Sequence, residues 1–549
     1  MFTLDTYGIV EDSTLEVSIT SPSQHRGLQA IITVPVSASN DTPVEAVPVR
    51  QDSPHFEPND IAPQCTFPWN LSRVKDGEHI RDNVDSDMLG NKHPSQSETA
   101  YIRDKRKVSV ASDPALVVSV PEVSEPAYLE PFHDPTFGAR IVRISGNAGE
   151  NFSWDGTPPG SGTWGVDVRH HYSIDQPWNS DGTLLFLQNR GGDASPRRLL
   201  LDGHTFKPKY GMCDNFPKGA SRWHPSKSHP HERINIHNDK LQWFDMVRCK
   251  RTRHWSLPFE VSLGEGKGNP SNDGRFLALS DGKRVFVVDM DPQPPFAPYP
   301  EQRIGPPIDV TDCGVSYGCE VAWISVSPSG KYVVVRYRGP KTHTRVYDVN
   351  SQTLTLKSRK MPALYPNCIG TPNNGFIYGL GHADMTLNPF DNNEDVIVGQ
   401  EHCGNRGKTI NSVKIGGVVM VRLHDGVIKS LTDPRNEAYP QHISARNYQR
   451  PGWVYVTYYE NADGRRFNDE IVAIRLDGIR TVERYAHKHA LTKNCYRCES
   501  HAVPSPDGTK IIFASPWNLN CADACGTGSE IRAYVIEGRP LNATAMPTN

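Results

Sequence analysis

The 549-residue chain has no run approaching 18 consecutive apolar residues, so it carries no membrane-spanning helix. It has no surplus of either charge. Its 59 basic and 62 acidic residues leave a net charge of −3, whereas a dedicated nucleic-acid binder shows a basic excess. That balance still permits a local basic cleft for an acidic substrate. Eleven cysteines are too few and too scattered for a disulfide scaffold of this length. The odd count leaves at least one cysteine unpaired or metal-bound. Close pairs occur at Cys313/Cys319, Cys495/Cys498 and Cys521/Cys525. The opening stretch MFTLDTYGIVEDS lacks a basic n-region and an apolar h-region, so it does not read as a signal peptide.

What is abundant is glycine, 44 residues, and proline, 45 residues. They show no triplet period, which excludes collagen, and they are interspersed among regular apolar runs, which argues against wholesale disorder. Helix interiors tolerate neither residue well, and many short strands need many turns. The fold class expected is all-β.

Two parts are distinguishable. Residues 1–112 hold short alternating strands, such as Leu15–Thr20 and Ala30–Val36, separated by turn signals. That pattern predicts a small β-sandwich. The order of these strands resembles bacterial immunoglobulin-like modules of secreted carbohydrate-active proteins. Residues 113–136, with Pro114, Pro121 and Pro126, read as a Pro-spaced linker.

Residues 137–549 repeat. A turn ending in glycine recurs before a β-run: Asn179-Ser-Asp-Gly182, Ser271-Asn-Asp-Gly274, Ser327-Pro-Ser-Gly330 and Ser505-Pro-Asp-Gly508. Each reads as the hairpin between the first two strands of a four-stranded blade. Weaker copies run from Trp223-His224-Pro225 to Leu241–Asp245, from Asn388-Pro389 to Val396–Val398, and from Arg446-Asn447 to Trp453–Val456. Several units close on a strand ending in aspartate, as at Asp289, Asp348 and Asp477. Seven such units predict a seven-bladed β-propeller following the sandwich.

In a propeller the first strand of each blade lines a central channel, and histidines recur near those strands. They are His170 and His171, followed by Tyr172, then His224, His382, His442 and His501. Neutral imidazole is the commonest side-chain metal ligand. His382, His442 and His501, from consecutive blades, are therefore candidate ligands for a divalent metal such as Zn, with Mn or Ca as alternatives. The bland reading is a hydrogen-bonded polar channel filled with water. Cys495-Tyr-Arg-Cys498 reads either as a disulfide or as half a zinc site. Arg222, Arg275 and Arg446 flank channel positions, where a guanidinium pairs bidentately with a carboxylate or sulfate.

Five runs, starting at His170, Gly264, Gly381, His442 and His501, resemble those of propeller polysaccharide lyases. The ulvan lyases are the nearest match and the oligogalacturonate lyases a more distant one. The run from His442 to Trp453 is the most specific. The resemblance implies β-elimination on a uronic-acid-containing anionic polysaccharide, supported by a divalent metal. It implies His171, Tyr172 and Arg275 as catalytic residues. His170, Arg222, His224 and Arg446 are then expected to bind substrate. A secreted monomer with a polysaccharide partner, and neither a nucleic acid nor a membrane span, is the accompanying expectation. A non-catalytic glycan-binding or adhesion propeller, of a cell surface or a virus, is the competing one, since fold does not fix function. A hydrolase using Asp384 and Glu499 as paired carboxylates is a third.

Overall fold

A computed structural model describes residues 112–538 apart from position 157 and segments 264–267, 293–301, 312–318, 338–342, 360, 362–375, 379, 403–405, 411–412, 461–463, 491–494 and 518–529. Among the first 111 residues it describes five strands. Chain contacts separate Met1–Ala100 from Tyr101–Asn549. In the first unit, Thr3–Thr6, Thr14–Thr20 and Leu28–Thr33 form a three-stranded antiparallel sheet. Pro43–Val44 pairs with Leu71–Ser72. The rest of the expected sandwich lies outside the described residues.

The second unit is a seven-bladed propeller. Blade one is Asp167–Arg169, Leu184–Arg190, Arg198–Asp202 and Pro208–Gly211. Blade two runs from Ala220–Trp223 through Glu232–His237 and Lys240–Asp245 to Lys250–Ser256. In blade three, Phe276–Ser280 pairs with Arg284–Asp289, and a bridge between Ser262 and Ser280 marks the innermost segment. Blades four, five and six begin at Val321–Val326, Leu380–Asn388 and Pro440–Ser444. Blade seven takes Val503–Pro504, Lys510–Ser515 and Arg532–Glu537 from late in the chain, and Arg140–Arg143 from before blade one as its fourth strand. That pairing closes the ring.

The strands are apolar on both faces because each blade is sandwiched between two others. Leu184 and Phe186 join the cluster against blade two, whereas Leu185 and Leu187 face blade seven. Val454 and Val456 pack towards blade five, and Trp453 and Tyr455 towards blade seven. One apolar cluster fills each gap between neighbouring blades.

The recurring turn has a local cause. Its first residue caps the next strand: Asn179 Oδ1 accepts from the Leu184 N–H, and Ser271, Ser327 and Ser505 hydroxyls accept from Phe276, Tyr332 and Lys510. Gly182, Gly274, Gly330 and Gly508 supply the positive φ that the turn needs.

Two expectations are corrected. In blade two the strand after Trp223 is Glu232–His237, and Leu241–Asp245 belongs to the third strand. The strands ending near Asp289, Asp348 and Asp477 are third strands, each followed by another. Of the two readings of Cys495 and Cys498 the disulfide holds, and Cys213–Cys249 is a further disulfide that no sequence proximity announced. The Pro-spaced segment is docked on the propeller: Arg484 donates to the Asp113 and Leu116 carbonyls, and Trp517 to that of Val123.

Candidate metal centre in the propeller channel

Blade one ends its first strand at Arg169, and the next residues cross the channel. His170 Nε2 donates to the His501 carbonyl of blade seven. Tyr172 reaches His382 of blade five. Asn269 of blade three donates to the Ile174 carbonyl at 2.9 Å. Asp175 lies 3.5 Å from Arg222 of blade two. Gln176 donates to the Arg446 carbonyl of blade six and the Pro504 carbonyl of blade seven, both at 2.9 Å. Residues 170–176 thus form a plug tied to five other blades.

Against this plug three groups converge. His442 Nε2 and His501 Nε2 lie 3.5 and 3.3 Å from the same oxygen, Oε2 of Glu499. All three residues are buried, and their ligand atoms lie within 4.8 Å of one another. The two imidazoles stack at 4.0 Å between centroids. His382 stands edge-on to His442 at 4.3 Å, with its Nδ1 3.1 Å from the Tyr172 phenol. The Tyr172 ring meets His501 and His442 edge-on at 4.6 and 5.3 Å.

Local irregularities aim these side chains. The pairing register slips between Gly381 and Asp384 and again between Pro440 and His442, so a bulge sits at each histidine. His382 and His501 adopt left-handed φ values of 44° and 50°, a strain of about 1–3 kcal/mol each that clusters at functional sites. Glu499 follows the turn closed by the Cys495–Cys498 disulfide. The guanidinium of Arg169, fixed by Asp167 at 2.6 Å, donates to the Arg497 carbonyl and at 3.5 Å to that of Glu499. The Tyr459 phenol donates to Glu499 Oε1 at 3.4 Å.

The donor set fits a divalent cation. Burial holds His501 well below the usual imidazole range, with the His442 and Arg169 charges adding. Burial also raises Glu499. Each group is thus pushed towards its uncharged form, and a cation would reverse that cost. Beyond the Glu499 oxygen, neither His501 ring nitrogen has a hydrogen-bond partner among the described residues. Donors sharing one tetrahedral ion at ~2.0–2.1 Å stand ~3.3–3.4 Å apart, close to both histidine–carboxylate separations. Three protein ligands would leave a position open, as catalytic sites do.

Of the sequence-expected metal ligands, His442 and His501 share the centre and His382 borders it. Glu499 completes the set; two residues before His501, it is a spacing the sequence already displayed. The other candidates are engaged elsewhere. His171 is exposed, 3.1 Å from Asp175. Arg222 is buried between Asp175 and Asn269. Arg446 forms a buried bidentate pair with Asp384, at 2.7 and 2.8 Å, which commits that carboxylate as well. His224 lies at the turn end of blade two, its ring tilted 46° against that of His229 at 4.7 Å and packed against Gly274. Arg275 follows the Gly274 turn and is bidentate to Asp289, at 2.9 and 3.0 Å. Among the described residues, His171 and Arg275 contact Asp175 and Asp289 and not the three histidines, although His171 lies in the plug between His170 and Tyr172.

Burial lowers His170 to about 4 and His224 to about 3. Both rings stay neutral in the folded chain, while the unfolded chain takes up protons below about 6.5. Their contribution to stability is full above pH 6.5 and is lost as pH falls towards 4. In metal-free protein the unfolding free energy at pH 5 is expected to lie about 2 kcal/mol per histidine below its value at pH 7. Denaturant titrations at the two pH values check this, and His224→Gln should remove its own share of the slope.

No family model and no curated protein matches the chain. Solved structures do. An oligogalacturonate lyase in complex with manganese is 12% identical, with 74% of this chain and 96% of that chain covered and a TM-score of 0.33. The hydrazine synthase of Kuenenia stuttgartiensis is 13% identical, with coverages of 63% and 94% and a TM-score of 0.36. The WD40 domain of Neurospora crassa Pan2 is 8% identical, with coverages of 66% and 88% and a TM-score of 0.37. Enzymes and a WD40 domain are matched alike, so the likeness singles out no activity.

Proposed function

We propose that the chain is a metal-dependent polysaccharide lyase that cleaves a uronic-acid-containing anionic polysaccharide by β-elimination. The observation that carries this is the convergence of His442, Glu499 and His501 beside the Tyr172–His382 pair. β-Elimination needs the uronate carboxylate neutralised, the C5 proton removed and the departing O4 protonated. A divalent ion, when bound by His442, Glu499 and His501, would supply the carboxylate neutralisation.

That assignment agrees with the state of the arginines. Arg222, Arg275 and Arg446 already face carboxylates of the protein itself. Tyr172 and His382 are both half-buried and border the centre. Their hydrogen bond suits proton transfer: His382 Nδ1 takes the phenol proton as the phenol oxygen takes the C5 proton. The C5–H electrons form the C4–C5 double bond and the C4–O4 bond breaks. The proton then returns to O4 through the same phenol. The Cys213–Cys249 and Cys495–Cys498 disulfides agree with an oxidising, extracellular setting for such a substrate.

The test is incubation with ulvan, pectin fragments and glycosaminoglycans in the presence of Mn²⁺ or Zn²⁺, following the ultraviolet absorbance of an unsaturated uronate. Absorbance that grows with time and stops on chelation is expected. No signal across the panel overturns the reading. Glycan retention without turnover puts the non-catalytic binding propeller in its place.

A further inference from the structure

Beside the metal centre lies an arc of aromatic rings that the interblade core does not use. His382 and His402 stand 6.3 Å apart, His402 and Tyr439 6.4 Å, and Tyr439 and Tyr459 6.1 Å. The last ring returns to the centre through its hydrogen bond to Glu499. None of the four belongs to an interblade apolar cluster. His402 is exposed, and Tyr439 and Tyr459 are half-buried.

The arc is built. Tyr439 immediately precedes the first strand of blade six and Tyr459 immediately follows its second. The Tyr459 N–H donates to the Tyr439 carbonyl at 2.9 Å, which fixes the two side by side. His402 follows the second strand of blade five and lies against bare backbone: a Cβ at Gly381 would stand 2.1 Å from its Nε2.

We infer that Tyr439 and Tyr459, continued by His402, form a sugar-stacking shelf for the pyranose rings of a glycan whose uronate reaches the metal centre. A pyranose presents one apolar C–H face and a rim of hydroxyls. A half-exposed tyrosine offers the complement, an apolar ring face with a polar tip, at low conformational cost. Tilts of 39° to 53° between successive rings turn the shelf around one side of the centre, so it suits a curved chain more than a flat sheet. This rests on reading the centre as a uronate site, but the shelf itself has no use for charge and can be tested without metal.

The experiment is calorimetric titration of metal-free protein with a galacturonate hexamer and with a neutral cello-oligosaccharide of equal length. Tyr439→Ala is expected to weaken binding of both about tenfold, with Tyr439→Trp close to wild type. Mn²⁺ affinity and melting temperature should not change in either variant. Unaltered glycan binding in Tyr439→Ala overturns the shelf, as does a parallel loss of Mn²⁺ affinity, which would make Tyr439 a support of the centre. Wild-type protein that binds neither sugar also overturns it, even if uronates are eliminated. Sugar binding lost in Tyr439→Ala, with no turnover by wild type on any uronate, upholds the shelf and removes the lyase.

Discussion

His442→Ala is expected to leave a folded protein that no longer holds a divalent ion and no longer eliminates uronates. The side chain is fully buried, and its Nε2 faces the same Glu499 oxygen as His501. Removing one of three ligands should weaken Mn²⁺ or Zn²⁺ by more than the ~10–100-fold that follows loss of a ligand's supporting partner. Turnover should fall ~10³-fold or more, because carboxylate neutralisation is worth several kcal/mol of barrier. The apolar clusters on either side of blade six do not include His442, so the melting temperature of the metal-free variant should stay near that of metal-free wild type. Calorimetric metal titration and a steady-state assay check both parts. Wild-type metal affinity in His442→Ala would remove the centre.

Tyr172→Phe is expected to separate chemistry from binding. The substitution keeps the ring that meets His442 and His501 edge-on and deletes only the phenol that bonds to His382. A group that moves a proton in the transition state contributes typically 10²–10⁴-fold, so kcat should fall by about that factor with KM and metal affinity nearly unchanged. A variant with normal kcat would reduce Tyr172 to a packing element of the plug. A variant that loses metal affinity together with kcat would make it a support of the centre.

The blades were legible because their turns carry their own chemistry. An Asn or Ser that caps the next strand, followed by a glycine with positive φ, is written in a few adjacent residues. Blade two was misread where that chemistry is missing: its second strand, Glu-Arg-Ile-Asn-Ile-His, has no apolar run, and Arg233 and Asn235 are buried by bonding to Ser221 and to the Lys218 and Ala220 carbonyls. The closure of the ring was not legible, because nothing local to Arg140–Arg143 says that its partner is Arg532–Glu537.

At the site the histidines were legible as a radial repeat, and the carboxylate partners of the arginines were not. Asp384 meets Arg446 across 62 residues and two blades, so its neutralising role is invisible along the chain. Arg275 and Asp289 belong to one blade, yet only the strand geometry brings them together. The tyrosines of the aromatic arc gave no signal, since Tyr439 and Tyr459 lie 20 residues apart and meet only through the strand ends they flank.

The segment from His170 to Gln176 has a topological consequence for a polymeric substrate. Its ties to blades two, three, five, six and seven run across the propeller's axis. A glycan bound as proposed would meet that segment as the floor of a well, and a residue that reached it would back out the way it came before the next descended. Cutting would then be a series of dips into the well, and run length along one polymer would be set by what the rim holds between dips.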